Sequence, residues 1–373
     1  MLEITSLRNG AVLNHNHGAE TNDYLEIQLE GIADPQAKVT VCGKPAERRD
    51  RVFRAPVRLD KKINEITVES RSKFGVVRHT VTVVWDKKSF KRFNFFIDDN
   101  IFFLTDTAKE RPRSLFDHFY LRKLRETHRR HGAKFTLNCF HRNDHSPFEL
   151  KDFPDTYKSE WRGNADWLRL SFHAYSEFPD RPYQHAEKEK LAADFDLVRN
   201  EIVRFAGEDA YIPPVVIHWA MVHPEAFQLL RERGVRVLSG GFISSRTRVG
   251  EKPPETPVTD IGYFYERDVA HYVADAREFY DSDHGMTLTR GAVCCNLDTE
   301  EEIISKLKAA DASPSKCETL GLATHEQYSF KYYHNYIPDH FERIDTACRT
   351  AKELGYSPVF FADGLLGNTA WGN

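Results

Sequence analysis

The run KRFNFFIDDNIFFL, residues 91–104, carries two adjacent aspartates, Asp98 and Asp99, inside one of the most apolar stretches of the chain. Two charges in such a place are costly unless they are paired or coordinated. Other polar groups stand in or at the ends of further apolar runs: Asn138 in KFTLNCF, His173 in WLRLSFH, His218 and Trp219 in VVIHWAM, His325 and Glu326 in LGLATHEQY. Aspartate oxygens and histidine nitrogens suit Zn²⁺ and similar divalent ions, and a site with three protein ligands keeps a position open for an attacking water. The ion lowers the pKa of that water towards ~7 and polarises a carbonyl, while a second carboxylate takes the proton. The chemistry these residue types support is metal-assisted hydrolysis, with Asp98 and Asp99 dividing the roles of ligand and base.

Such groups need a scaffold that gathers them. From Phe93 onward the strand candidates FNFFI, KFTLNCF (134–140), WLRLSFH (167–173), VVIHWAM (215–221), VRVLSG (235–240), LGLATH (320–325) and SPVFFA (357–362) alternate with amphipathic helical stretches. Several of those stretches end in Gly, as a helix C-terminus favours. About seven such units predict an α/β fold with a mostly parallel sheet, a distorted, closed or nearly closed (β/α) barrel. Barrel active sites lie at the C-terminal ends of the strands, where Asp98, Asp99, Asn138, His173, His218 and His325 fall. Residues 1–85 read instead as short alternating strands such as YLEIQLEG, AKVTVCG, NEITVES and VRHTVTVVW, a small Ig-like or fibronectin-like β-sandwich without a helix. The polar segment DKKSFKR, residues 86–92, makes the junction, giving domains 1–88 and 89–373. Residues 241–300 are the least legible.

Composition narrows the partners. The 373 residues are 40% hydrophobic and 12% aromatic, enough for a substantial core. With 52 basic against 56 acidic residues, mixed along the chain, nothing points to nucleic acid or to a membrane surface, and a small saccharide or glycan fits better. No run approaches the ~18 apolar residues of a membrane span, and the N-terminal residues MLEITSLRNGAVL lack a basic segment followed by an apolar one, so a cytoplasmic location is expected. The six scattered cysteines form no CxxC pair and are expected to be reduced, mostly buried thiols.

In these residues the chain resembles the polysaccharide deacetylases of the NodB-homology type over roughly residues 93–373. FIDDN resembles that family's first motif, which implies Asp98 as general base and Asp99 as metal ligand. HAYSE resembles its second, with His173 and, in place of a second histidine, Glu177 as ligands; His185 in RPYQHA competes for that third place. The stretch from Tyr211 to Gly240 is similar to its third motif in Pro213 and Pro214 and the helix that follows, although Ile212 stands where the base-orienting arginine would be. LGLATHEQY resembles the last motif, implying His325 as general acid with Glu326 beside it. The resemblance implies a Zn²⁺-dependent enzyme, or one using Co²⁺ or Ni²⁺, that removes an N- or O-acetyl group from a carbohydrate. Asn138, His218, Trp219 and Glu326 are expected to line the substrate pocket, and Tyr332, Tyr333 and Tyr336 invite a sugar-stacking reading. A homo-oligomer is compatible with the sequence.

Two other readings fit the same residues. A glycoside hydrolase would pair Asp98 with Glu326 or Glu177 as carboxylates about 5–10 Å apart. A carbohydrate-binding protein on a deacetylase scaffold would need no catalysis. Each residue also has an ordinary counterpart: a capped turn for the aspartates, a hydrogen-bonded core histidine for His173, a surface charge for Glu177.

Overall fold

The computed structural model describes residues 1–242 and 260–372. Residues Leu2–Trp85 form two five-stranded sheets with one 3-10 turn, His15–His17, as the expected all-β region. Alternation places Leu25, Leu29, Phe53, Val68, Val83 and Trp85 between the sheets. Val52–Leu59 and several strands of two or three residues fall outside the expected runs; Val52–Leu59 alternates strictly, with Phe53, Ala55, Val57 and Leu59 buried and its arginines and Pro56 on the exposed face.

The remainder is mixed α/β around a curled sheet with six parallel strands: β1 (Arg92–Asn100), β2 (Phe135–Phe140), β3 (Leu168–Ala174), β4 (Val237–Gly240), β5 (Met286–Cys294) and β6 (Thr319–His325). Their spatial order is β3-β2-β1-β6-β5-β4. β1 is central and buried along its whole length, which is why FNFFI is apolar on both faces except at the buried Asn94 and does not alternate. Helices α1 (Phe102–Glu110), α2 (Phe119–His131), α3 (Lys188–Ala206), α4 (Arg267–Ala276), α5 (Glu300–Asp311) and α6 (His340–Glu353) connect the strands. α2 stops where Gly132 takes φ +74°, a backbone state that a side chain would resist.

Three strand expectations change. VVIHWAM is not a strand: after Pro213 and Pro214 the chain runs irregularly between the edge strands β3 and β4, bonded by Ile212 N to Leu170 O at 2.9 Å and by Ser239 N to Val215 O at 2.7 Å. It then makes a 3-10 turn, His218–Ala220, with Trp219 and Ala220 at positive φ. SPVFFA contributes only the two-residue strand Ser357–Pro358. β5 emerges from the least legible stretch, where Arg290 and Gly291 interrupt its apolar pattern. The sheet therefore has six parallel strands along its path, with the short Ser357–Pro358 pairing parallel to β1 beside it.

The polar junction is partly buried. Asp86 and Arg92 are fully buried and form an ion pair of 2.9 Å, and Arg92 donates to the carbonyls of Leu365 and Leu366. Trp371 Nε1 donates to Trp85 O at 2.8 Å, so the chain's last described residues lie against the β-rich region.

Candidate metal centre

The site is built at the C-terminal end of β1. The ladder to β2 runs Ile97 to Leu137 and resumes at Asn100 to Cys139, so β1 carries one extra residue there. The bulge, with Asp99 at φ +61°, overrides the strand rule that neighbours point to opposite faces. Both aspartates are buried and both approach one imidazole: Asp99 Oδ1 lies 3.1 Å from His173 Nε2, and Asp98 Oδ1 lies 3.9 Å from His173 Nδ1.

His218 completes the group. Its Nδ1 is 3.1 Å from His173 Nε2 and 3.4 Å from Asp99 Oδ1. The three atoms form a near-equilateral triangle whose edges match the about 3.3 Å expected between ligands of a tetrahedral ion with bonds of ~2.0 Å. Among the described residues Asp99, His173 and His218 are the one group of this kind, and they could hold a metal ion. The second nitrogens support this fit. His218 Nε2 donates to Glu177 O at 2.9 Å, and His173 Nδ1 faces Val216 O at 3.4 Å. In the tautomers those carbonyls select, two lone pairs and a carboxylate oxygen converge on one point, an arrangement that calls for a cation.

Asp98 stands beside the triad. Asn138 Nδ2 donates to its Oδ1 at 2.7 Å. Burial raises the Asp98 carboxyl, opposed by His173, His325 and Asn138. Burial would also raise Asp99, but when the facing rings carry protons, His325, His173 and His218 outweigh it and hold that carboxyl well below the usual range. His325 lies opposite Asp98 on β6. Burial would lower its pKa, yet the charge of Asp99 carries it up to about 10. Asn296 Oδ1 accepts from His325 Nδ1 at 2.9 Å, leaving Nε2 as the nitrogen able to exchange a proton. The Cys294 thiol lies 4.0 Å from the same ring.

The structure thus gathers Asp98, Asp99, His173, His218 and His325. It corrects four other expectations. Glu177 is not in the ligand triad: the strand ends at Ala174, so a spacing of four carries no helical proximity, and its carboxylate bonds to His145 while its backbone carbonyl steadies His218. His185 lies with Tyr183, Lys188 and His223 around a separate hollow of about 240 Å³. Asn138 is fully buried behind Asp98 and positions it instead of lining a pocket. Glu326 is fully buried and its carboxylate accepts the N–H groups of Ile101, Phe102 and Phe103 at 2.7, 2.8 and 2.6 Å, capping α1. That cap occupies the carboxylate which a glycosidase pair with Asp98 would need. Burial pushes Glu326 up to about 8, with the three N–H groups offsetting part of the effect.

Trp219 is 38% exposed beside His218, with the Arg181 guanidinium 4.2 Å over its ring. Asn296 and His145 were not anticipated; the first falls in the poorly legible stretch, and the second lies on the loop after β2 with no motif around it. All six cysteines are unpaired, three of them buried. Among the described residues no helix is long and apolar enough to cross a membrane.

No protein-family model matches the chain, and no curated protein does. Among solved structures, an engineered protein aligns at 13% identity over 23% of this chain and 20% of its own, with a TM-score of 0.17. The tandem Ig domains A164–A165 of titin align at 10% identity over 26% of this chain and 60% of theirs, with a TM-score of 0.16. An alpha-galactosidase candidate from Bacteroides fragilis aligns at 10% identity over 95% of this chain and 78% of its own, with a TM-score of 0.31. The chain spans less than two thirds of the first two, and at these scores the likenesses decide nothing about its fold or activity.

Proposed function

We propose that the protein is a metal-dependent hydrolase that removes an acyl group, most simply acetyl, from a carbohydrate. The observation that carries this reading is the triangle of Asp99 Oδ1, His173 Nε2 and His218 Nδ1 with the separate carboxylate of Asp98 beside it. The donor set of two imidazoles and one carboxylate suits Zn²⁺, with Co²⁺ or Ni²⁺ as substitutes. Such an ion supplies Lewis acidity to water and to the acyl carbonyl.

The residues divide the proton work. Asp98, raised by burial and fixed by Asn138, takes a proton from the attacking water as its oxygen bonds to the acyl carbon. His325 gives a proton through Nε2 to the leaving nitrogen or oxygen as the carbon–nitrogen or carbon–oxygen bond breaks. The products are a carboxylic acid and a free amine or hydroxyl; return of one proton from Asp98 to His325 through solvent resets the site. The carbohydrate part of the reading rests on the motif order of FIDDN, HAYSE and LGLATH and on the half-exposed Trp219 beside the centre.

Acetate release from acetylated amino sugars, assayed with and without a chelator, tests the proposal. The expected result is turnover that chelation abolishes and Zn²⁺ restores, and that Asp98→Asn lowers by about 10²-fold or more while the metal stays bound. Turnover indifferent to chelation and to Asp98→Asn would refute it.

A further inference from the structure

The β-rich region carries an open sheet edge that the proposed chemistry does not use. Strand Gly75–Trp85 pairs with Ile63–Ser72 on one side from Gly75 to Val84, whereas on the other side only Val84 and Trp85 meet the short strand Val12–Leu13. Just before that contact Thr82 O accepts from Gly10 N and Thr82 N donates to Asn9 Oδ1, both at 2.7 Å. The N–H and C=O of Thr82 therefore face away from Ile63–Ser72. These groups alternate along an antiparallel strand, so those of Val76, Arg78 and Thr80 face the same way. Among the described residues none of the three has a backbone partner on that side. Such a row of donors and acceptors is a template for another strand.

Side chains along this edge are apolar and basic. Every residue from Gly75 to Thr80 is exposed, with Val76 at 46% and Val77 at 50%, and Phe74 in the turn is 84% exposed. Val77 shares a face with the buried Val81 and Val83, so it points to the core side of its sheet at a corner left uncovered. Arg71 and Arg78 share the one carboxylate of Glu69, and Lys73 Nζ lies 5.0 Å over the Phe74 ring. Between Glu69 and Thr80 three cations thus stand against one anion. Neither a proline nor a bulge protects residues 75–81, and Arg78 is drawn aside by Glu69 on the neighbouring strand.

We propose that this edge binds an extended, acidic segment of a partner protein by strand addition. The segment lies beside Gly75–Thr80 and takes up the outward N–H and C=O groups of Val76, Arg78 and Thr80. Its carboxylates meet Arg71, Lys73 and Arg78, and an apolar side chain covers Val77. Charge selects this occupant: a second copy of the chain would set two basic edges against each other, and a lipid surface would leave the backbone groups without partners. The binding is independent of the hydrolase reading.

Fluorescence anisotropy at low salt tests this on the full chain, with a labelled, end-blocked octapeptide of alternating Glu and Val and its Lys and Val counterpart as probes. Val76→Pro and, separately, Thr80→Pro each delete one outward N–H and leave the bonds to Ile63–Ser72 in place, since an edge strand accepts proline where the missing N–H faces solvent. The expected result is a Kd for the acidic peptide at least about tenfold below that of the basic one. Either proline variant weakens it about tenfold and Arg78→Gln about threefold, with the unfolding midpoint unchanged. Binding of neither peptide, equal binding of both, or acidic-peptide binding that survives both prolines or Arg78→Gln would overturn the proposal. So would a wild-type dimer in sedimentation that Val76→Pro dissociates, which would make a second copy the occupant, or binding to phosphatidylserine vesicles with none to the peptide.

Discussion

Adjacent in the chain, Asp98 and Asp99 are driven in opposite directions by their surroundings. Burial raises the first, whereas His325, His173 and His218, when they carry protons, overcome burial and hold the second low. One is thereby suited to exchange a proton and the other to remain an anion. The Asn138 amide favours the ionised form of Asp98, so its removal must raise that carboxyl further. Asn138→Ala is predicted to move the acid limb of kcat/KM to higher pH by about one unit, since a hydrogen bond to a charged group is worth ~1.5 kcal/mol. A pH–rate profile with an unmoved limb would contradict the assignment of Asp98. At this scale the sequence exposed Asp98, Asp99, His173 and His325, because charges at the ends of apolar strands are visible without a fold. His218 was noticed, but in a different role: read as a strand residue it could only line a pocket, and its turn depends on backbone states at Trp219 and Ala220 that no local pattern announces.

At the level of elements, the C-terminal end of β1 is held by α1, and α1 is held by Glu326. Its first turn begins at Ile101 and Phe102, and no side chain at its own N-cap accepts a hydrogen bond. The orphan N–H groups are satisfied instead by a carboxylate that follows β6, more than 200 residues away in sequence. Glu326→Ala is predicted to cost about 3 kcal/mol or more in urea unfolding, because three buried donors lose their acceptor. A cost below about 1 kcal/mol would show that the cap is dispensable. The same residue shows where sequence reading stops. Its place after His325 suggests a shared role in the site, while its actual partner is set by the pairing of β1 with β6. Strands with uniform burial, such as β1 and β2, were readable; β5, broken by Arg290 and Gly291, was not.

For the molecule as a whole, the joint between the β-rich region and the α/β region is a buried charge pair wrapped by the C-terminal residues. Asp86 accepts from Arg92, Ser89 and Asn368, and Arg92 reaches the Leu365 and Leu366 carbonyls. Asp86→Ala is predicted to destabilise the protein by about 3–5 kcal/mol, the cost of an uncompensated buried guanidinium. An unchanged unfolding midpoint would mean that the joint is held by packing alone. In the sequence DKKSFKR reads only as a short polar junction, since burial of its first Asp and of its Arg requires residues 365–368 to fold back over it. The candidate metal site depends on the whole fold in the same way. The three side chains that could hold an ion come from a bulge on β1, the end of β3 and a turn that follows the irregular segment between β3 and β4, separated by 74 and 45 residues. Metal content and affinity, measured by elemental analysis and competition titration on purified wild-type, His218→Ala and Glu177→Gln proteins, test that assembly most directly. The account predicts one Zn²⁺ per chain in the wild type and in Glu177→Gln, and loss of it in His218→Ala. Retention by His218→Ala with loss from Glu177→Gln would contradict it.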